Sequence, residues 1–133
     1  MSDKYVYPTK DSIRTINEIV NLTSTKKADS FKLLRPEEFI DSIIEDVRKT
    51  EGSIYEKAAV LLRRIIVAHG FASGNKRTAF IVTAYFIEEN GGRLTLNDFD
   101  IVERVLRNIR LYNEKEISNW LKTGDIDETR FKE

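Results

Sequence analysis

His69 is the only histidine in the chain, and six residues after it stands Asn75-Lys76-Arg77. An imidazole can accept a proton from a hydroxyl near neutral pH. If Asn75 opens a helix, the first turn presents unpaired N–H groups and about half a positive charge, and Lys76 and Arg77 add formal charge at the same place. Such a helix start is a cradle for phosphate. Gly74 relaxes the turn in front of it. Phosphoryl and nucleotidyl transfers ask little covalent chemistry of a protein: a hydroxyl is deprotonated and positioned while charge on the phosphate is stabilised. One base and one cradle are enough for that. Each feature alone has a plainer reading, since a histidine near a helix C-terminus complements the dipole and a Gly-Asn-Lys-Arg run simply starts a helix.

The elements around this cluster make the combination informative. Hydrophobic periodicity predicts a first helix capped by Asp11, carrying Ile13, Ile16, Ile19 and Val20 and ending near Thr23. Residues 24–34 have no clean period and read as a connection or a short extended flap. Pro36 suits the first position of a second helix with Phe39, Ile40, Ile43, Ile44 and Val47, ended by Gly52. Ser53 and Glu56 have capping-box spacing, so a third helix starts at Ile54, and His69 ends it. A fourth spans Asn75 to Glu89 before Asn90-Gly91-Gly92 stops it. The third and fourth helices are apolar around most of their circumference, which marks helices surrounded by others. The polar cluster is confined to the 70–74 loop between them, and core packing does not require that. Residues 93–96 read as a short extended piece, Asn97 as the cap of a fifth helix, and Asn113 as the cap of a sixth that Gly124 closes. The charged residues 125–133 are expected to fray.

A chain of 133 residues fits one domain, 1–133, with 41% hydrophobic and 33% charged residues. The expectation is an all-α, compact bundle of about six helices. With no cysteine and one histidine, disulfides, thiolate zinc sites and multi-histidine metal cages are excluded. Lys plus Arg number 22, as do Asp plus Glu, so no net field draws the molecule to nucleic acid or an anionic membrane, and any anion site is local. The Arg63-Arg64 pair with Lys76 and Arg77 could make a nucleic-acid patch, but the balanced charge counts against it. The N-terminus shows no signal-peptide pattern and no apolar stretch approaches 18 residues, so a cytoplasmic protein with no membrane span is expected.

The run from His69 through Gly70-Phe71-Ala72-Ser73-Gly74-Asn75-Lys76-Arg77 to Phe80 resembles the signature of the Fic/Doc family. That signature reads His, any, Phe, any, an acidic residue, Gly or Ala, Asn, Gly or Lys, Arg. The resemblance extends over most of the chain and implies the Fic fold. Lys76, where Fic-type members have Gly, and Phe80, where they have a second Arg, make the chain resemble the Doc (death-on-curing) branch. It implies that His69 accepts the proton of a target hydroxyl and that Phe71 anchors the loop. It also implies that Gly74, Asn75, Lys76 and Arg77 hold the phosphates of ATP or another nucleoside triphosphate.

Ser73 stands where the family carries the acid that holds Mg2+, and a hydroxyl is a far weaker ligand for that ion. Two readings therefore stay open. In one, a Doc-like toxin transfers a phosphate, or as second choice a nucleotidyl group, to a hydroxyl of a target protein such as a translation factor. In that reading the nucleotide's own phosphates supply most of the coordination of Mg2+, and Ser73 assists. In the other, a Fic-like module binds nucleotide or protein without turnover. Self-inhibited members carry Ser or Thr four residues before a Glu-Gly or Glu-Asn pair, but here Val47 precedes Glu51-Gly52 and Tyr85 precedes Glu89-Asn90. The resemblance thus implies restraint by an antitoxin protein in trans, docking near the cleft, and a target peptide received at the flap.

Overall fold

The computed structural model describes residues 4–23 and 32–132. Among them are six α-helices: α1 (Lys10–Leu22), α2 (Glu38–Lys49), α3 (Ile54–Ala68), α4 (Asn75–Glu89), α5 (Phe99–Arg107) and α6 (Glu114–Thr123). Short 3-10 turns follow at Ile109–Leu111 and Glu128–Arg130. The fold is all-α, as the periodicity predicts. The one β feature among the described residues is an isolated antiparallel bridge between Leu33 and Phe71.

Helix α3 is the central element, packed against α2, α4 and α6, with Ala58, Ala59, Leu61 and Leu62 all fully buried. Small residues at 58 and 59 let neighbouring helices approach closely, while Trp120 and Leu121 of α6 fill the far side of the core. Helix α4 departs from the expectation of burial all round. It buries one face, Thr78, Ala79, Val82, Phe86 and Ile87, while Tyr85 is 56% exposed. Of its outer apolar residues, Tyr85 lines a surface groove along α1, while Phe80 packs partly buried against the core.

Several boundaries differ from those the sequence suggests, each for a local reason. Helix α1 is capped by Thr9, not Asp11: Thr9 Oγ1 accepts from the Ser12 N–H at 3.1 Å and Ser12 Oγ accepts from the Thr9 N–H at 3.0 Å. This reciprocal pair satisfies two end groups at once and leaves Asp11 inside the first turn. Helix α2 starts two residues beyond Pro36 because Phe39 and Ile40 bond back over three residues, to Pro36 and Glu37, in a tight leading turn. It ends at Thr50 in extended conformation, so Gly52 belongs to the connection rather than to a left-handed cap. Asp98, with N–H donors from both Asp100 and Ile101, takes the capping role expected of Asn97. Residues 93–96 form no strand.

The C-terminal segment is docked through residue 132. Arg130 pairs with Glu116 and Asp127, the Tyr112 hydroxyl donates to the Asp127 carbonyl at 2.7 Å, and Phe131 packs on the core. Most of the suggested flap, residues 24–31, lies outside the described residues; of its end, Leu33 packs against the core and Leu34 is exposed. A clasp of Lys10 and Arg14 with Glu37 joins α1 to the start of α2. No helix among the described residues is long and apolar enough to cross a membrane.

Candidate active site

The site is built where α3 ends and α4 begins. His69 caps α3 in the left-handed region, φ 48° and ψ 48°, and among the described residues it is the only non-glycine with positive φ. An L-residue held there costs on the order of 1 kcal/mol, and such positions cluster where function demands them. The next residue cannot relieve it by trading places: a Cβ on Gly70 would sit 2.2 to 2.6 Å from the Phe39 ring. The reversal falls on His69 and leaves its side chain exposed.

Phe71 then dives into the core, 1% exposed, with its ring edge-on to Phe39 at 5.7 Å. Burial of that ring anchors the loop by about 2 kcal/mol. The backbone on either side is tied to residues 32–34: the Leu34 N–H donates to the Gly70 carbonyl at 2.7 Å and the Ala72 N–H to the Lys32 carbonyl at 2.8 Å. Asn75 closes the loop from within. Its Oδ1 accepts from the Phe71 N–H at 3.1 Å and its Nδ2 donates to the Phe71 carbonyl at 2.9 Å. The side chain suggested as a phosphate ligand is therefore 7% exposed and fully engaged with backbone, and what Asn75 can offer a ligand is its own N–H.

Two asparagines that the sequence reading passed over hold the loop from the other side. Asn17 Nδ2 donates to the Ser73 carbonyl at 3.0 Å and to Thr78 Oγ1 at 3.1 Å, and Asn21 Nδ2 also reaches the Ser73 carbonyl, at 3.3 Å. Their signal in the sequence is a pair of carboxamides four residues apart on the same stripe as Ile13 and Val20, where a core helix calls for apolar side chains.

Helix α4 opens after Gly74, at φ 78°, and no side chain caps it. Each of the other five helices carries an acid in its first turn, whereas α4 carries none and has Lys76 and Arg77 there instead. Cations at the positive end of a helix dipole oppose folding, by roughly 0.3 to 1 kcal/mol each. The arrangement makes sense if an anion binds there.

His69, Ser73, Gly74, Asn75, Lys76 and Arg77 line one hollow of about 680 Å³, whose opposite wall is the C-terminal end of α1 at Val20, Asn21 and Thr23. That volume suits a nucleotide-sized ligand. Phe71 lies beneath it, in the core. Arg63 and Arg64 are not part of it, and Arg64 is paired with Asp46. Among the described residues the hollow has no carboxylate, and no cluster of three His, Asp or Glu side chains could hold a metal. Ser73 as a metal ligand would offer only a neutral hydroxyl, so these residues do not fit a resident Mg2+ ion.

No curated protein and no solved structure matches the chain. The model of the Fic/DOC family, whose members are generally transferases, matches residues 4–87, which include α1 through most of α4 and the whole of the loop. On that match over more than half its length, the chain belongs to the Fic/DOC family.

Proposed function

We propose that this protein transfers a phosphate from ATP or another nucleoside triphosphate to a hydroxyl of a target protein, with nucleotidyl transfer as the second choice. The observation that carries the reading is the meeting of His69 and the uncapped, doubly basic start of α4 on one hollow. The nucleotide phosphates lie against the α4 N–H groups and the Lys76 and Arg77 side chains, which offset the charge that builds as the bond breaks. The target hydroxyl reaches the exposed His69. Its oxygen forms a bond to the γ-phosphorus, its proton passes to the imidazole, and the bond from that phosphorus to the nucleoside diphosphate breaks. His69 alone serves as base, Gly74 and the Asn75 N–H belong to the cradle, and Phe71 keeps the loop seated.

Doc-type phosphate transfer is preferred because Lys76 extends the cradle and because an apolar Phe80, half-buried, stands where a second arginine would reach the phosphates in Fic-type members. Such an enzyme acts in the cytoplasm, where nucleoside triphosphates are. A translation factor is the proposed target and an antitoxin in trans the proposed restraint. ATP labelled at the γ or the α phosphorus, incubated with the protein and a cell extract, separates the chemistries. Label transferred from the γ position marks phosphate transfer and from the α position nucleotidyl transfer; transfer of neither would overturn the reading.

The absence of a carboxylate among the described lining residues favours one alternative, a module that binds nucleotide without turning it over. Ser73→Asp discriminates: a large Mg2+-dependent gain in transfer means the native chain has lost turnover, while a silent substitution leaves His69 chemistry as the native function.

A further inference from the structure

A phosphate cradle made of backbone works only if the loop's N–H groups face the ligand and its carbonyls face away. Nothing in the sequence of residues 70–74 enforces that. We infer that Asn17 and Asn21 of α1 are positioning residues for the cradle: they hold the Ser73 carbonyl away from the hollow and so aim the Gly74 N–H into it. The inference rests on the phosphate reading of the site and adds the part of the chain that shapes it.

Three observations converge. First, both carboxamides are buried, Asn17 at 1% and Asn21 at 6% exposure, and both reach the same oxygen, at 3.0 and 3.3 Å. Burying a carboxamide is costly unless its hydrogen bonds are met, and a leucine at position 17 would take this donor from the Ser73 carbonyl and the Thr78 hydroxyl. The bond from Asn17 to the loop carbonyl is the shorter of its two, whereas Asn21 bonds first to the Asn17 carbonyl at 2.9 Å and supports the clamp from behind. Second, the peptide group between Ser73 and Gly74 is trans, so its N–H points opposite to its carbonyl. With the oxygen held by Asn17, which lies outside the lining of the hollow, the N–H of Gly74, a lining residue, points the opposite way, and no acceptor among the described residues takes it. Third, Gly74 is confined by the same clamp. A Cβ there would lie 3.1 Å from Val20 Cγ1, 3.3 Å from Asn21 Nδ2 and 3.4 Å from Asn17 Nδ2, on top of a φ that disfavours any side chain. Rotation of this peptide would put a carbonyl dipole toward the hollow, where its negative end repels phosphate, in place of an N–H that attracts it.

The test uses the full chain and ATP as the probe. In the wild type, titration followed by amide NMR should move the Gly74 N–H resonance together with those of Asn75 and Lys76. Asn17→Leu, confirmed as folded by circular dichroism, should bind ATP at least tenfold more weakly and lose the Gly74 response; Asn21→Leu should show a smaller, about threefold loss. A role confined to packing would lower the melting temperature and leave both readouts of the folded protein unchanged. A wild type that binds ATP with Gly74 unmoved, or a folded Asn17→Leu with unaltered affinity, overturns the clamp and spares the phosphate reading. A wild type that binds no ATP overturns both. Should Asn17→Leu fail to fold, the wild-type Gly74 measurement decides alone.

Discussion

The starts of α4 and α6 solve the same problem in opposite ways. At α6 the Asn113 side chain accepts from the Glu116 N–H at 2.8 Å, the Glu116 carboxylate accepts from the Asn113 N–H at 3.0 Å, and Glu114 adds a second acid to the first turn. Every term there favours the helix. At α4 the residue before the helix is a glycine with nothing to cap with, and the next two exposed positions carry cations. One end is closed for stability; the other is left open at some expense in stability. The same chain can cap a helix well, so the open α4 start is not a failure of local sequence, and under the proposed function it is the place left free for phosphate.

The largest expected effect is at His69. His69→Ala should reduce transfer to target by about 10²- to 10⁴-fold, as for loss of a general base, while ATP affinity by calorimetry stays within about twofold. Next, Lys76→Gln with Arg77→Gln should weaken ATP binding by about tenfold or more and at the same time raise stability, by roughly 0.3 to 1 kcal/mol per cation removed. Opposite signs in the two measurements are the signature of a site held against the helix dipole; a fall in both would return these residues to a structural role. Asn113→Ala is the control at the closed end. It should cost about 1 kcal/mol in chemical denaturation and leave ATP affinity untouched.

The smallest effect concerns pH. The Glu116 carboxyl is held below its ordinary range, first by the Asn113 N–H and then by Arg130. A depressed carboxylate stabilises the fold above its unfolded pKa, and that contribution is lost as pH falls through the lower folded value. Thermal melts between pH 7 and 3 should therefore show the wild type losing more stability on acidification than Glu116→Gln, with no corresponding change at α4, whose first turn has no acid to protonate.

Much of this molecule is legible without coordinates where the cause is local. The α3 start at Ile54, the α4 limits Asn75 and Glu89, the Asn113 cap and the Gly124 stop all lie where the residue pattern places them, because each depends on residues within four positions of one another. Misplaced boundaries came from competition between near neighbours: Thr9 with Ser12 outcompetes Asp11, and Asp98 outcompetes Asn97. In the site, His69, Ser73, Gly74, Asn75, Lys76 and Arg77 could be selected from their types and spacing, and they do share one hollow. The engagement of Asn75 with Phe71 was less accessible, since a polar residue beside a basic pair looks like a ligand until its partners are seen. Asn17 and Asn21 were harder still, because 56 and 52 residues separate them from the carbonyl they hold.

What this sequence determines by itself is its set of helices and the presence of a histidine and a cationic helix start a few residues apart, because backbone propensity, capping and dipole effects act over one or two turns. Only the packing of α1 against α4 decides which way the Ser73–Gly74 peptide faces, and only the docking of residues 32–34 and Phe39 around Phe71 decides that the loop is seated with His69 outward. Those outcomes depend on contacts between segments far apart in the chain. Such contacts form only when a shared core makes burying an asparagine beside a loop carbonyl less costly than leaving that carbonyl unpaired.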